Sequence, residues 1–212
     1  MSNPRPLLIE AHYLPCLAYF GALLLAGGHL RLEAHETYQK QTARNRCYVR
    51  GPHRVERLTL PVPREAKRQN IRDVRLEDTS WGATHWRALR TAYGKSPFFE
   101  FFADGFHALY ADPPQWLWEA NRRFLSQCLQ WLELPATVTE TNAYAHAAPD
   151  TWDLRSALHP RREESWRPFF RTVPYRQVFG EMFAPNLSVV DLMCCEGPAA
   201  LSLLKQSIGE SV

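Results

Sequence analysis

The sequence predicts an α/β fold: an N-terminal strand–helix–strand, a small mixed sheet and a helical second half, with a segregated α+β arrangement as the alternative. Three observations predict it. Apolar patterning changes from strand to helix and back to strand between Leu7 and His35, alternating short segments follow as far as Leu76, and a helical period takes over from Ser80.

Leu7–Tyr13 is a short apolar run of the kind a buried strand requires. Pro15 suits the first turn of a helix over Cys16–Ala26, which Gly27-Gly28 ends. His29–His35 alternates Leu30, Leu32 and Ala34 with polar residues. A strand–helix–strand passage of this length implies parallel strands and a right-handed crossover. Arg46–Arg50 and Val55–Val62 read as strands about the Gly51-Pro52 turn, with Pro61 and Pro63 confining the second to an edge. Ile71–Leu76 is a weaker strand.

Ser80 is placed to cap a helix over Trp81–Tyr93, which Gly94 ends. Phe98, Phe99, Phe102, Phe106 and Tyr110 recur at helical spacing, a pattern that packs as core. Asp112-Pro113-Pro114 opens a helix over Gln115–Leu134 with Leu117, Phe124, Cys128 and Trp131 on one face. Ala136–Tyr144 reads as a last strand. The chain is expected to be a single domain over 1–212, with 142–174 an irregular extension containing a helical turn or two at Leu154–Leu158. Gln177–Phe183, Leu187–Met193 and Ala199–Gln206 read as helices.

Composition narrows the class. A chain of 212 residues that is 45% hydrophobic, with seven Trp, eight Tyr and eleven Phe, can bury a substantial core. The net charge is only +3, but 21 of the 25 basic residues are Arg. Between Arg44 and Arg75 the local excess is +7, which attracts phosphates or acidic partners. Few aromatic residues interleave this stretch, so nucleic acid is not expected as a partner. The five Cys are odd in number, and no Cys-x-x-Cys occurs, which argues against a disulfide framework or a structural zinc. Reduced cytoplasmic thiols fit. The N-terminus lacks the architecture of a signal peptide. The apolar run Tyr13–Gly27 is shorter than the roughly 20 residues of a bilayer span. A buried helix is expected, with peripheral membrane contact the remaining membrane option.

The densest chemistry lies in 33–49, where Lys40, Arg44 and Arg46 suit an anion clamp, since Arg grips phosphate or carboxylate bidentately. The bland alternative is structural ion pairs with Glu33 or Glu36. Tyr38, Gln41 and Asn45 bring further hydrogen-bonding groups. Cys47 is a nucleophile if a neighbouring cation or base lowers its pKa, and a buried apolar residue otherwise. His12, His35 and His85, with Glu10, Glu33 and Glu36, offer an acid–base pair or a metal site. Of these, His85 is the favoured proton carrier. Asp191, after the capping residues Asn186 and Ser188, suits the orientation of a basic side chain. No cofactor is expected: dinucleotide and P-loop strings are absent.

Five blocks in order resemble the WbqC-like protein family. They are Tyr13-Leu14-Pro15 with Tyr19-Phe20; Glu36-Thr37-Tyr38-Gln39-Lys40-Gln41-Thr42 with Arg44-Asn45-Arg46-Cys47; Leu60-Pro61-Val62 with Ile71–Val74; His85-Trp86 with Tyr93, Ser96, Pro97 and Phe98-Phe99; and Tyr175 to Pro198 with Asn186-Leu187-Ser188 and Val190-Asp191-Leu192. The chain departs from the family pattern at Glu10-Ala11-His12, where many relatives carry His-Gln-Pro; a catalytic role for that His in relatives would carry over here only if His12 replaces it from a shifted position. The resemblance implies a transferase-type enzyme of bacterial surface polysaccharide (lipopolysaccharide O-antigen) biosynthesis that takes an anionic sugar nucleotide or an activated acyl donor. Its site would draw on Tyr13, Tyr38, Lys40, Gln41, Arg44, Asn45, Arg46 and Asp191 for binding, and His85 and Cys47 for catalysis. A non-catalytic binding or scaffold protein of the same pathway is the alternative.

Overall fold

The computed structural model describes residues 4–209 and has the α/β character expected, with the helices concentrated in the second half. Strand β1 (Leu7–Ile9), helix α1 (Leu17–Leu25) and strand β2 (His29–Leu32) form the opening unit, β1 and β2 running parallel with Leu7 opposite Leu30 and Ile9 opposite Leu32. A hairpin of β3 (Arg46–Arg50) and β4 (Val55–Thr59) follows. Three helices come next: α2 (Trp81–Tyr93), α3 (Phe99–Ala111) and α4 (Leu117–Trp131). Strands β5 (Thr137–Glu140) and β6 (Trp152–Asp153) precede the closing helices α5 (Val189–Glu196) and α6 (Ala200–Ser207).

The strands divide into two sheets. One is wholly parallel, in the order β5-β2-β1-β6; the other is the separate antiparallel hairpin β3-β4. β1, Leu-Leu-Ile, is buried at every position, the pattern of a central parallel strand. β2 alternates, with Leu30 and Leu32 facing inward and His29 and Arg31 outward. All of α1 from Leu17 to Leu23 is buried, as befits a helix apolar on every side. Gly27 and Gly28 end it at φ +63° and +81°, with the Gly28 N–H reaching the Leu23 carbonyl at 2.9 Å. A β-carbon on Gly28 would sit 2.5 Å from the Pro135 carbonyl oxygen, so the left-handed turn and the close approach both require glycine.

Several local expectations change. β1 stops at Ile9, well short of Tyr13. Ile71–Leu76 is not a strand: Asn70 accepts the Arg72 N–H and starts a single 3₁₀ turn, Ile71–Asp73. Ser80 does not cap α2; its own N–H and hydroxyl are both spent on Asp78. No helix forms over 177–183, because the Gln177 amide both donates to and accepts from Ala184 and pins the loop instead. Segment 142–174, expected to be irregular, carries β6, which pairs with β1 and completes the parallel sheet.

α4 positions the region that follows β1. Its buried Asn121 donates to the Ala11 carbonyl at 3.0 Å and to the Arg44 carbonyl at 2.7 Å, tying the end of β1 to the polar segment 33–49. Among the described residues no helix is long and apolar enough to cross a membrane.

Candidate functional site

Parallel pairing brings all four strand ends to one edge of the sheet. Leu8 stands opposite Arg31 and Asp153, and Arg31 opposite Thr139. Side chains two residues apart share a face, so the next row on that face is Glu10, Glu33, Thr141 and Arg155. The ladder continues past the strands to hold this row: Glu33 N–H to Ile9 O, Thr141 N–H to Leu32 O and Leu154 N–H to Leu8 O, each 2.9 Å. Ligand sites of open parallel sheets lie outside this carboxyl edge, at a point where strand order reverses. β1 is such a point, with β2 on one side and the late β6 on the other.

The edge holds a connected ionic network. Arg155 binds Glu33 at 2.8 Å and Asp153 at 2.7 Å, and Thr141 donates to Glu33 at 2.8 Å. Arg44 is 1% exposed and sits between two carboxylates, 3.2 Å from Glu10 and in bidentate contact with Glu36, with Nε–Oε1 at 2.7 Å. Ser156, at φ +57°, donates its N–H to Glu10 at 2.8 Å and accepts from Arg44 at 3.0 Å. That strained conformation aims the amide at the carboxylate.

One guanidinium cannot fully compensate two carboxylates, and the two fare differently. Burial pushes Glu10 up, but His12, the Arg44 charge and the Ser156 amide outweigh it and bring the carboxyl down to about 2. Glu36 has no comparable set of donors besides Arg44. Its burial wins, and the carboxyl rises to about 7.

His12 is fully buried. Its Nε2 lies 3.3 Å from Glu10 Oε1, off the line a full hydrogen bond needs, and neither ring nitrogen has a hydrogen-bond partner among the described residues. The ring borders a narrow cleft, closed too tightly to admit a water, shared with Leu14, Arg46, Cys47, Tyr48 and Pro160. Two features mark this cleft. Leu14 is held at φ +41°, a conformation that side chains other than glycine avoid, and the Arg46 Nε is buried with no partner. Arg161 lies over the Tyr48 ring at 5.5 Å on the rim.

The three expected clamp cations do not converge. Arg44 is committed to Glu10 and Glu36. Lys40 lies toward the surface and donates to the Arg64 carbonyl, and Arg46 turns to the cleft with one weak bond, at 3.5 Å, to the Gln41 carbonyl. Asn45 donates to the Leu60 carbonyl at 3.2 Å and ties the polar segment to β4. The Tyr38 side chain is buried beside Arg44 and Arg46, and Gln41 is an exposed residue at φ +62°. Cys47 is buried in β3, and burial pushes its thiol far above the usual range.

His85 lies apart from this edge, in an aromatic cluster. Tyr13 shares one hydrogen bond with His85 Nδ1 and another with the Tyr110 hydroxyl, both 2.8 Å, and Trp81 and Phe124 close the cluster. Burial lowers His85 to about 4, so its ring is neutral. Asp191 orients no cation directly; it accepts from Tyr175 at 2.5 Å and Gln177 at 2.8 Å. Among the described residues no group of three or more His, Cys, Asp or Glu is placed to hold a metal ion.

Arg155, Asp153 and Ser156 were missed as site residues. The one signal for them was an Asp-x-Arg-Ser string in a segment without periodicity, and nothing local shows that it returns to β1.

A model of the WbqC-like protein family matches residues 10–165, a span that begins directly after β1 and includes the whole ionic network and β6. An uncharacterized protein of Mycobacterium tuberculosis, Rv1507c, is 23% identical over 93% of this chain and 96% of its own length. No solved structure matches significantly.

Proposed function

The chain belongs to the WbqC-like protein family, and from that premise we propose that it is a transferase-type enzyme of bacterial surface polysaccharide biosynthesis, acting on an anionic sugar nucleotide or an activated acyl donor. One observation carries the reading: a buried histidine with unpartnered ring nitrogens stands beside an ionised carboxylate at the carboxyl edge of a parallel sheet. Such a pair is suited to take a proton from an acceptor hydroxyl while the oxygen attacks the donor and the leaving group departs with its bonding electrons. Glu10 stays ionised and steadies the imidazolium that forms.

We assign proton transfer to His12 rather than to His85 or Cys47. His85 is neutral and already bonded to Tyr13, and the Cys47 thiol is held protonated by burial. Arg46 is the group for the donor's charge, because its Nε is without a partner while Arg44 is neutralised. The cleft must widen to admit a ligand; Leu14, at φ +41°, and Pro160 line it. Five unpaired cysteines support action in the reducing cytoplasm.

Saturation-transfer NMR with uridine- and thymidine-diphosphate sugars and acyl-coenzyme A thioesters tests the reading. Binding of one class, weakened at least tenfold by Arg46→Ala, is the expected result, with turnover falling by about 10²–10⁴ in His12→Asn while binding persists. No binding by either class ends the proposal. The complete engagement of Arg44 by Glu10 and Glu36 favours a second reading, a non-catalytic binding protein; ligand binding without turnover would establish it.

A further inference from the structure

β5 and β6 lie on opposite sides of the parallel sheet, so the chain between them, residues 141–151, must cross over β2 and β1. Crossovers between parallel strands are normally helices, which cover the sheet's face. This one contains no helix. An open cleft of about 390 Å³ lies where a helix would have packed, floored by the sheet's outer face and bounded by residues 142–148 of the crossing segment.

The floor is not one a helix would bury. Leu8 is its single apolar side chain; Arg31 and Thr139 lie beside it, and Glu33, Thr141 and Arg155 form the next row. Charged lining residues balance, two arginines against two carboxylates, so the cleft exerts no net pull on an anion. Glu33 and Arg155 are fixed by each other and by Thr141 and Asp153. Arg31 makes no ion pair among the described residues and is exposed, as is Asn142. At the rim the Tyr144 ring is held over the Arg155 guanidinium at 4.9 Å and is 47% exposed.

We propose that this cleft binds a neutral, hydroxyl-rich ligand, one or two sugar rings. The planar Arg31 guanidinium and Asn142 amide match pairs of neighbouring hydroxyls, the Thr139 hydroxyl, which donates to the Leu30 carbonyl, keeps a lone pair to accept from one more, and Leu8 with the alanines of the crossing segment meets the apolar face of a ring. The volume lies at the low end of the roughly 300–1,000 Å³ typical of small-molecule sites. As the acceptor pocket of a sugar transfer this rests on the function proposed above; as a sugar site it stands on the cleft alone.

The test is saturation-transfer NMR on the full chain with uncharged methyl glycosides of glucose, galactose, rhamnose and N-acetylglucosamine and their disaccharides, without nucleotide. At least one should bind, and Arg31→Ala and Asn142→Ala should each weaken it at least tenfold. Both side chains are exposed, so circular dichroism should show the fold intact. Absence of binding across the panel, or binding that both variants leave unchanged, overturns the proposal. Nucleotide-sugar and thioester binding is scored separately: its absence with glycoside binding intact ends the donor reading and leaves the sugar cleft standing.

Discussion

The carboxyl edge of the sheet and the aromatic cluster around His85 both bury polar groups, and they do so in opposite ways. At the edge, Glu10, Arg44, Glu33 and Arg155 are charged and hold one another. In the cluster, Tyr13, His85 and Tyr110 are neutral, and burial pushes the tyrosines above and His85 below their ordinary values. The contrast follows from topology. Parallel strands end together and deliver side chains from distant parts of the chain to one line, where opposite charges meet. Helix faces meet as broad apolar surfaces, where an ion would find no counter-ion. Two histidines within one small protein thus acquire different chemistry: His12 beside a carboxylate, His85 among aromatic rings with one tyrosine hydroxyl as its partner.

Removing the central charge of the edge should have the largest effect. Arg44→Met leaves Glu10 and Glu36 buried without their cation and is expected to cost about 3–5 kcal/mol. Tyr13→Phe takes one hydroxyl from the neutral cluster and should cost about 1–3 kcal/mol. Urea denaturation of the two variants measures both. If Tyr13→Phe proves the more damaging, the proposed division between an ionic and a neutral region fails.

Acidity should separate the regions next. Glu10 in the folded chain titrates at about 2, below its ordinary 4.5, so its stabilisation is complete above 4.5 and is lost as pH falls from there through 2. Glu36 has the opposite sign. Its carboxyl, raised to about 7 by burial and by the charges of Glu10 and Glu33 against the pull of Arg44, favours the protonated fold, so stability declines as pH rises from 4.5 through 7. The expected profile of thermal midpoint against pH therefore peaks near 4.5 for these two groups. Glu36→Gln should flatten the alkaline side and Glu10→Gln the acidic side. A wild-type profile that rises steadily from pH 4.5 to 7 would contradict the assignment of Glu36.

The parts of this arrangement legible in the sequence are those set by local pattern. Strand–helix–strand, the hairpin and the helices from Trp81 onward follow from period and punctuation, and so does the concentration of polar groups in 33–49. The site's assembly was not legible. Glu36, eight residues from Arg44, is legible as an ion-pair partner, but nothing local shows that Glu10, just past the end of β1, is the second carboxylate on the same guanidinium. The partners that complete the edge, Asp153, Arg155 and Ser156, come from a segment with no periodicity, which gives no sign that β6 forms until β1 is there to pair with it. His85 reads as a free proton carrier in the expected helix Trp81–Tyr93; the Tyr13 hydroxyl that occupies it lies 72 residues away.

Thiol reactivity is a milder discriminator. All five cysteines are buried and unpaired, and burial raises the thiols of Cys16 to about 11 and of Cys128 and Cys195 to about 12, and pushes those of Cys47 and Cys194 well up too. Iodoacetamide at pH 8 should modify the native protein far more slowly than the urea-unfolded chain, as read by mass spectrometry. Rapid native modification of Cys47 would return it to consideration as a nucleophile.

The smallest expected effect is the sharpest check on the reading of segment 33–49. Lys40, Arg44 and Arg46 lie within seven residues and carry the same charge, yet their surroundings rank them steeply. Lys40 donates to the Arg64 carbonyl near the surface, where water replaces the lost contact, so Lys40→Ala should change stability by less than about 0.5 kcal/mol. It should also leave donor binding within twofold of wild type. Arg46→Ala should be nearly as mild in stability, because the Arg46 Nε has no protein partner to lose, while weakening donor binding. The ordering for stability is then Arg44 far above Arg46 and Lys40, and for binding Arg46 above Lys40. Equal losses of binding across the two milder variants would restore the shared clamp and place the donor's charge on the surface rather than in the cleft beside His12.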